Sequence, residues 1–126
     1  MIQFILYVKD QKRSCNFYTS VLNTEPELDV PGMTEFLLSP GCKLGLMPED
    51  GIARIINPVL PHPKNGSGIP RCELYLLVPD PERSLENALS QGATLVSECS
   101  ERNWGHLVAY CSDPDGHIVA FAKELN

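Results

Sequence analysis

The sequence has little of what metal centres, disulfide scaffolds and nucleic-acid surfaces are made from. Among 126 residues there are three histidines, one tryptophan and only ten lysines and arginines. Sixteen acidic residues leave a net charge of −6. Without a basic footprint a nucleic-acid partner is not expected. The five cysteines (15, 42, 72, 99 and 111) are odd in number and contain no C-x-x-C. That excludes both a disulfide framework and a zinc knuckle, and points to a reducing, cytoplasmic setting. No apolar run approaches the roughly 20 residues of a membrane span, so no membrane partner is expected. The opening MIQFILYVKD lacks the basic stretch and small-residue cleavage site of a signal peptide and reads as a first strand. What remains, 43% hydrophobic and 21% charged, is the composition of an ordinary globular chain. Its length suits one domain that buries about two-thirds of the surface its unfolded chain exposes.

What is present is present twice. Phe4 to Tyr18 reads FILYVKDQKRSCNFY, and seventy residues on, Leu74 to Ala88 reads LYLLVPDPERSLENA. Val8 falls on Val78, Asp10 on Asp80, Arg13 on Arg83 and Ser14 on Ser84. In both copies an apolar run of strand character enters D-x-x-R-S and an amphipathic segment leaves it. A strand, an aspartate cap and a helix, repeated in so short a chain, are a duplicated supersecondary unit.

Taken in order, residues 2–8 predict a strand and Asp10 an N-cap. Phe17, Tyr18, Val21 and Leu22 form the buried face of a helix that stops near Asn23, before Pro26. Short strands follow at 28–30, 34–38 and 43–47. Residues 52–70 contain Pro58, Pro61, Pro63 and Pro70 with Asn65-Gly-Ser-Gly68, and read as an irregular linker in which His62 is an exposed loop residue. In the second copy residues 73–78 are the strand, Asp80 the cap and Pro81 the first helical residue. Leu85, Ala88 and Leu89 form its buried stripe, and Gly92 suits a left-handed C-cap. Strands at 93–96, 104–110 and 117–122 follow, with a polar loop at 98–103 and a tight turn at Asp113-Pro-Asp-Gly116. Asp10, Arg13, Asp80 and Arg83 read as caps and surface pairs. The whole is α+β: two tandem β-α-β-β-β modules, 1–51 and 71–126, joined by the linker 52–70 into one domain.

This order, with VKDQKRSCNFYTSVL (8–22), Trp104-Gly105 and SDPDGHIVAF (112–121), resembles the vicinal oxygen chelate superfamily. That group holds glyoxalases, extradiol dioxygenases and bleomycin-resistance proteins. The resemblance implies a curved sheet from each module, the two forming a cup around a small-molecule site, and commonly a homodimer. Its metal enzymes hold a divalent ion with one residue from the first and one from the last strand of each module. Those positions fall on Gln3, Gly45, Glu73 and Ala120, where the enzymes need Glu or His. Glycine and alanine have no ligand atom, and one carboxylate with one amide holds such an ion poorly. The expectation is therefore no metal ligands and no cofactor, in the manner of metal-free bleomycin-resistance-like members.

Strand alternation places Ile5 and Tyr7 beside Gln3, and Tyr75 and Leu77 beside Glu73. Gly45 and Ala120 leave space, flanked by Met47 and Ile118. Gln3, Tyr7, Gly45, Met47, Glu73, Tyr75, Trp104 and Ala120 are thus the candidate ligand-binding residues, in a mainly apolar lining. Tyr7, Leu77 and Ile118 read equally as core, and Trp104 either stacks on a ligand or covers the core or a dimer contact. Glu73 either faces the pocket or stands at the exposed start of its strand. Cys111 has no basic neighbour in sequence to lower a thiol pKa, and Cys72 has only Arg71 beside it. Three functions remain open. The first is sequestering or sensing a small organic ligand, cationic if Glu73 and the acidic charge select it. The second is an enzyme with a rearranged metal site or Glu73 as general base. The third is a protein-interaction module with a vestigial site.

Overall fold

The two aspartates of the repeat each open a helix. In the computed structural model, which describes residues 1–126, Asp10 is extended and its carboxylate accepts from the Arg13 amide at 3.0 Å. Asp80 does the same for the Arg83 amide at 3.2 Å. The chain divides into two compact units, Met1–Gly68 and Ile69–Asn126.

Unit one runs β1 (Ile2–Val8), α1 (Gln11–Leu22), β2 (Leu28–Val30), β3 (Met33–Ser39), β4 (Cys42–Pro48) and α2 (Glu49–Ile56), then a single 3-10 turn (Pro63–Gly66). Its sheet has the order β1-β4-β3-β2, in which β1 and β4 are parallel and the other pairs antiparallel. Helix α1 ends at Asn23, which takes the left-handed conformation (φ 52°) one residue past the last helical turn. Its buried face is Ser14, Cys15, Phe17 and Tyr18, packed toward β3 and β4. Thr34, Phe36, Leu44 and Leu46 on those strands are fully buried or nearly so.

Unit two repeats the plan with β5 (Glu73–Leu77), α3 (Pro81–Ser90), β6 (Thr94–Glu101), β7 (His106–Ser112) and β8 (Ile118–Glu124). The sheet order, β5-β8-β7-β6, and the single parallel pair, β5 with β8, are those of unit one. Helix α3 buries Pro81, Leu85 and Ala88 and packs on β6, β7 and β8. Both modules are thus β-α-β-β-β and each builds a four-stranded mixed sheet, as the repeat predicts. The turn between β7 and β8 is closed by Asp113, 3% exposed, whose Oδ1 accepts from the amides of Asp115 and His117 at 2.9 Å each. Gly116 supplies the positive φ (92°) that the turn needs.

Two expectations change. Residues 52–70 are not irregular throughout, because α2 and the 3-10 turn lie within or across them. The prolines begin only at Pro58, so nothing forbids a helix before it. Glu49 and Asp50 stand in its first turn and Arg54 in its last, as the helix dipole favours. Strand β6 also runs on to Glu101, through the stretch expected as a polar loop, and its register with β7 shifts twice. Trp104 therefore lies in the β6–β7 turn and not on a strand. No helix is long and apolar enough to cross a membrane.

Asp113→Ala strands two turn amides and should cost about 2 kcal/mol in urea unfolding, each unsatisfied buried donor being worth roughly 1–3 kcal/mol. Asp10→Ala and Asp80→Ala remove exposed caps only and should cost about 1 kcal/mol each.

Candidate functional site

Strand register makes the two modules comparable row by row. Ile5 pairs with Gly45, and Gly45 with Glu35. In module two Tyr75 pairs with Ala120, and Ala120 with Tyr110. Gly45 and Ala120 thus hold the same central place in their sheets, as Gln3 and Glu73 hold the same place on the first strands. All of these lie on the sheet face opposite the one on which the buried strand residues meet the helices.

On module one this face is closed by polar contacts. Gln3 Nε2 donates to Glu35 Oε2 at 2.9 Å. Lys43 Nζ lies 3.6 Å from Glu35 and 3.3 Å from Glu27. A Cβ added at Gly45 would stand 2.5 Å from Gln3 Nε2 and 3.1 Å from Ile5 Cγ1. The space expected at Gly45 is therefore filled by the Gln3 amide, and Gln3 is turned onto Glu35. Tyr7 and Met47, paired on β1 and β4, are half-buried farther along the same face.

On module two the same rows are aromatic. Val108, Ala120 and Ala122 are fully buried, with Tyr75 and Tyr110 packed against them, so the room expected at Ala120 is roofed by two phenol rings. Trp104 Nε1 donates to the Tyr75 hydroxyl at 2.9 Å. The Tyr75 hydroxyl and His106 Nδ1 are 2.6 Å apart. Having accepted from Trp104, the hydroxyl can give its own proton to Nδ1 when His106 is the neutral Nε2–H tautomer. Trp104 itself is 52% exposed. Arg102 lies over the Tyr110 ring, 5.0 Å from its centre. Burial raises the Tyr110 phenol pKa above its ordinary value, the Glu73 carboxylate adds to this, Arg102 opposes it and Tyr75 adds to it again. Glu73 is exposed at the start of β5, the second of the two placements its sequence context left open.

His106, Tyr110 and Arg102 were not among the residues expected from the sequence. His106 and Tyr110 share the i, i+2, i+4 row of β7 with Val108, but what sets them beside Tyr75 is the pairing of β7 and β5 with β8, which no local motif announces. Arg102 carried no signal of its own. Elsewhere, His62 is more ordered than a loop residue. Its Nε2 lies 2.8 Å from Asp50 Oδ1 and its Nδ1 accepts from the Lys64 amide. It borders a cleft of about 460 Å³ lined by Asp50, Ala53, Arg54, Asn57 and His62. The Asp50 side chain there is 85% exposed, so the pair holds the 3-10 turn to α2 without the desolvation that chemistry draws on.

The four inherited ligand positions do not fit a divalent ion. Glu73 is the one carboxylate, Gln3 is bonded to Glu35, and Gly45 and Ala120 offer no donor. No three His, Cys, Asp or Glu side chains converge anywhere in the chain in a group that could hold a metal. The thiols are no better placed as nucleophiles. Burial pushes Cys111 up to about 11, with Asp113 adding to it, and Cys15, Cys72 and Cys99 are raised mainly by burial as well.

Two β-α-β-β-β modules with the same strand order and matching register define the class of paired-module α+β folds. The chain belongs to the Glyoxalase/Bleomycin resistance protein/Dioxygenase superfamily, whose family model matches residues 1–121. Among solved structures it is similar to a glyoxalase-related enzyme from Fulvimarina pelagi, with a TM-score of 0.83, 20% identity, and 98% of this chain and 87% of that chain covered. It is also similar to a glyoxalase/bleomycin resistance protein/dioxygenase family enzyme from Burkholderia phytofirmans PsJN, with a TM-score of 0.82, 14% identity and coverage of 98% and 97%. At such identities the likeness is one of fold. No curated protein matches the sequence.

Gly45→Ala should destabilise the protein by about 1–3 kcal/mol through overpacking. In a Gln3→Ala background most of that cost should vanish, giving a positive coupling in a double-mutant cycle. The Cys111 thiol makes a separate prediction. Between the unfolded value of 9.0 and the folded value of about 11, the unfolded chain loses this proton while the folded one keeps it. Stability should be unaffected by it below pH 9 and fall as pH rises through that window. Urea midpoints against pH, with Cys111→Ala as reference, measure the difference.

Proposed function

We propose that the protein binds a small organic ligand on the aromatic face of module two, as a sequestering or sensing protein without the superfamily's metal site. One observation carries this reading: Trp104, Tyr75 and His106 are tied into a hydrogen-bonded array that holds a half-exposed indole beside two tyrosines. Large exposed aromatics held rigid by their polar atoms are suited to stacking on planar ligands. The exposed Glu73 carboxylate favours a ligand with an amine or other cationic group. Gln3 and Gly45, packed on one another, serve module one's stability in this reading, while Tyr7 and Met47 remain candidates for ligand contact.

A second reading, that of a metal-free acid–base enzyme, is favoured by the short Tyr75–His106 hydrogen bond. In it the pair takes the general-base role first considered for Glu73, which has no enclosing environment. We also propose a homodimer. Strand β1 is the edge of its sheet, and Ile2 and Phe4 on it are 63% and 67% exposed. An edge so apolar and unguarded by charge invites strand pairing with a second copy. Five free cysteines support a reducing, cytoplasmic location.

Selective excitation of Trp104, the only tryptophan, tests the main reading. Titration with a panel of aromatic amines and amphiphilic antibiotics should change its emission saturably at one ligand per chain. Tyr75→Phe, which removes the acceptor of Trp104 Nε1, should weaken binding about tenfold, the equivalent of one hydrogen bond of roughly 1.5 kcal/mol. Saturable binding by no member of the panel would sink the proposal and favour a protein-interaction module. Turnover of a bound compound, abolished in Tyr75→Phe and His106→Asn, would establish the enzymatic reading instead.

A further inference from the structure

Arg102 is anchored on one nitrogen only. Its Nη2 has Ser97 Oγ at 3.0 Å, the Glu98 carbonyl at 3.0 Å and the Val108 carbonyl at 3.1 Å as acceptors for its two hydrogens, one of which is shared. All three acceptors are neutral. The Nε atom is buried with no hydrogen-bond partner, and none of the three bonds uses Nη1. No carboxylate forms an ion pair with this guanidinium; Glu27 and Glu35 are taken by Lys43, and Asp50 by His62.

That is an unusual state for a half-buried arginine in a chain with sixteen acidic residues and ten basic ones. A guanidinium has five N–H donors in a planar fork, and leaving them unanswered costs stability. The three bonds to Nη2 and the stack on Tyr110 nonetheless fix its plane, so little side-chain freedom remains to be lost on binding. A rigid guanidinium on an aromatic surface is the arrangement that recognises carboxylates.

We infer that Arg102 is the anion-recognising residue of the module-two surface, and that the ligand is an aromatic molecule bearing a carboxylate. This rests on the ligand-binding reading above and narrows it. The ligand's ring lies against the aromatic array and its carboxylate accepts from Arg102 Nη1. Glu73 and Arg102 both act on Tyr110, with opposite sign. An amine on the same ligand therefore has a carboxylate to face, and the acid selects for Arg102. The acidic net charge alone pointed only to a cation.

Three matched probes test this by calorimetry: 3-phenylpropionate, its uncharged amide, and phenethylamine. On the wild-type protein the acid should bind about tenfold tighter than the amide, as one hydrogen bond to a charged group implies. Raising the salt concentration should narrow that gap. Arg102→Gln should abolish the acid's advantage, and Arg102→Lys should restore only part of it, since an ammonium lacks the planar fork. Arg102→Gln also gives up three hydrogen bonds, so the acid–amide comparison on wild type is decisive without it. Equal binding of acid and amide, with either saturable, would overturn the anion site and leave the ligand-binding reading standing. Silence from all three probes overturns it as well, and the broader amine and antibiotic panel then decides whether the parent reading falls too.

Discussion

Each sheet is organised by a central-strand position with almost no side chain. Gly45 and Ala120 sit between the first strand and the third in their modules, and whatever flanks them folds over the gap. At Gly45 the gap is as wide as one amide group: Gln3 Nε2 lies where a methyl would go and reaches across to Glu35. At Ala120 the neighbours are Tyr75 and Tyr110, too large to drop into the gap, and they roof it. A larger residue at either place would displace these partners, because packed interiors have no slack for even a methyl group.

From that one constraint the two modules diverge. The row Ile5–Gly45–Glu35 becomes charged and self-satisfied once Lys43 is added, since each carboxylate and ammonium finds an opposite within the sheet. The row Tyr75–Ala120–Tyr110 leaves polar atoms pointing outward. The indole N–H finds the phenol, the phenol finds the imidazole, and the guanidinium over Tyr110 finds only neutral oxygens on one of its nitrogens. Unmet hydrogen-bonding capacity on a rigid aromatic surface is what a ligand can answer. The proposed ligand site therefore uses one copy of a duplicated scaffold, while the other copy's matching positions are occupied by internal bonds.

The duplication itself was plain in the sequence, because D-x-x-R-S carries a local mechanism: an aspartate that caps a helix does so wherever the chain places it. The correspondence of Gln3 with Glu73 and of Gly45 with Ala120 was also legible, and the strand register places each pair at equivalent positions in the two sheets. Helix α2 was obscured by the prolines that follow it. Glu49, Asp50 and the apolar spacing of Ile52, Ala53 and Ile56 were the signals that compete with them. Strand β6 was obscured differently. Its register slips twice, so the period-2 alternation that marks a strand breaks between Val96 and Glu101. With it went the position of Arg102, whereas His106 and Tyr110 owe their place beside Tyr75 to the pairing of β5 and β7 with β8 and not to any local motif.

The matched order of the two sheets also separates two burdens that most small folds carry together. The helix-facing side of each module holds the larger part of its buried core: Phe36, Leu44 and Leu46 in one, Ala109, Cys111, Val119 and Phe121 in the other. The opposite side carries Glu35 and Lys43 in one module and Tyr75 and Tyr110 in the other, with strand order unchanged. A scaffold that accepts a salt-bridged surface and an aromatic one in the same three places is evolvable in a specific sense. The residues flanking the central place differ in character between the modules, while Gly45 and Ala120 themselves, the latter packed with the fully buried Val108 and Ala122, leave no room to change.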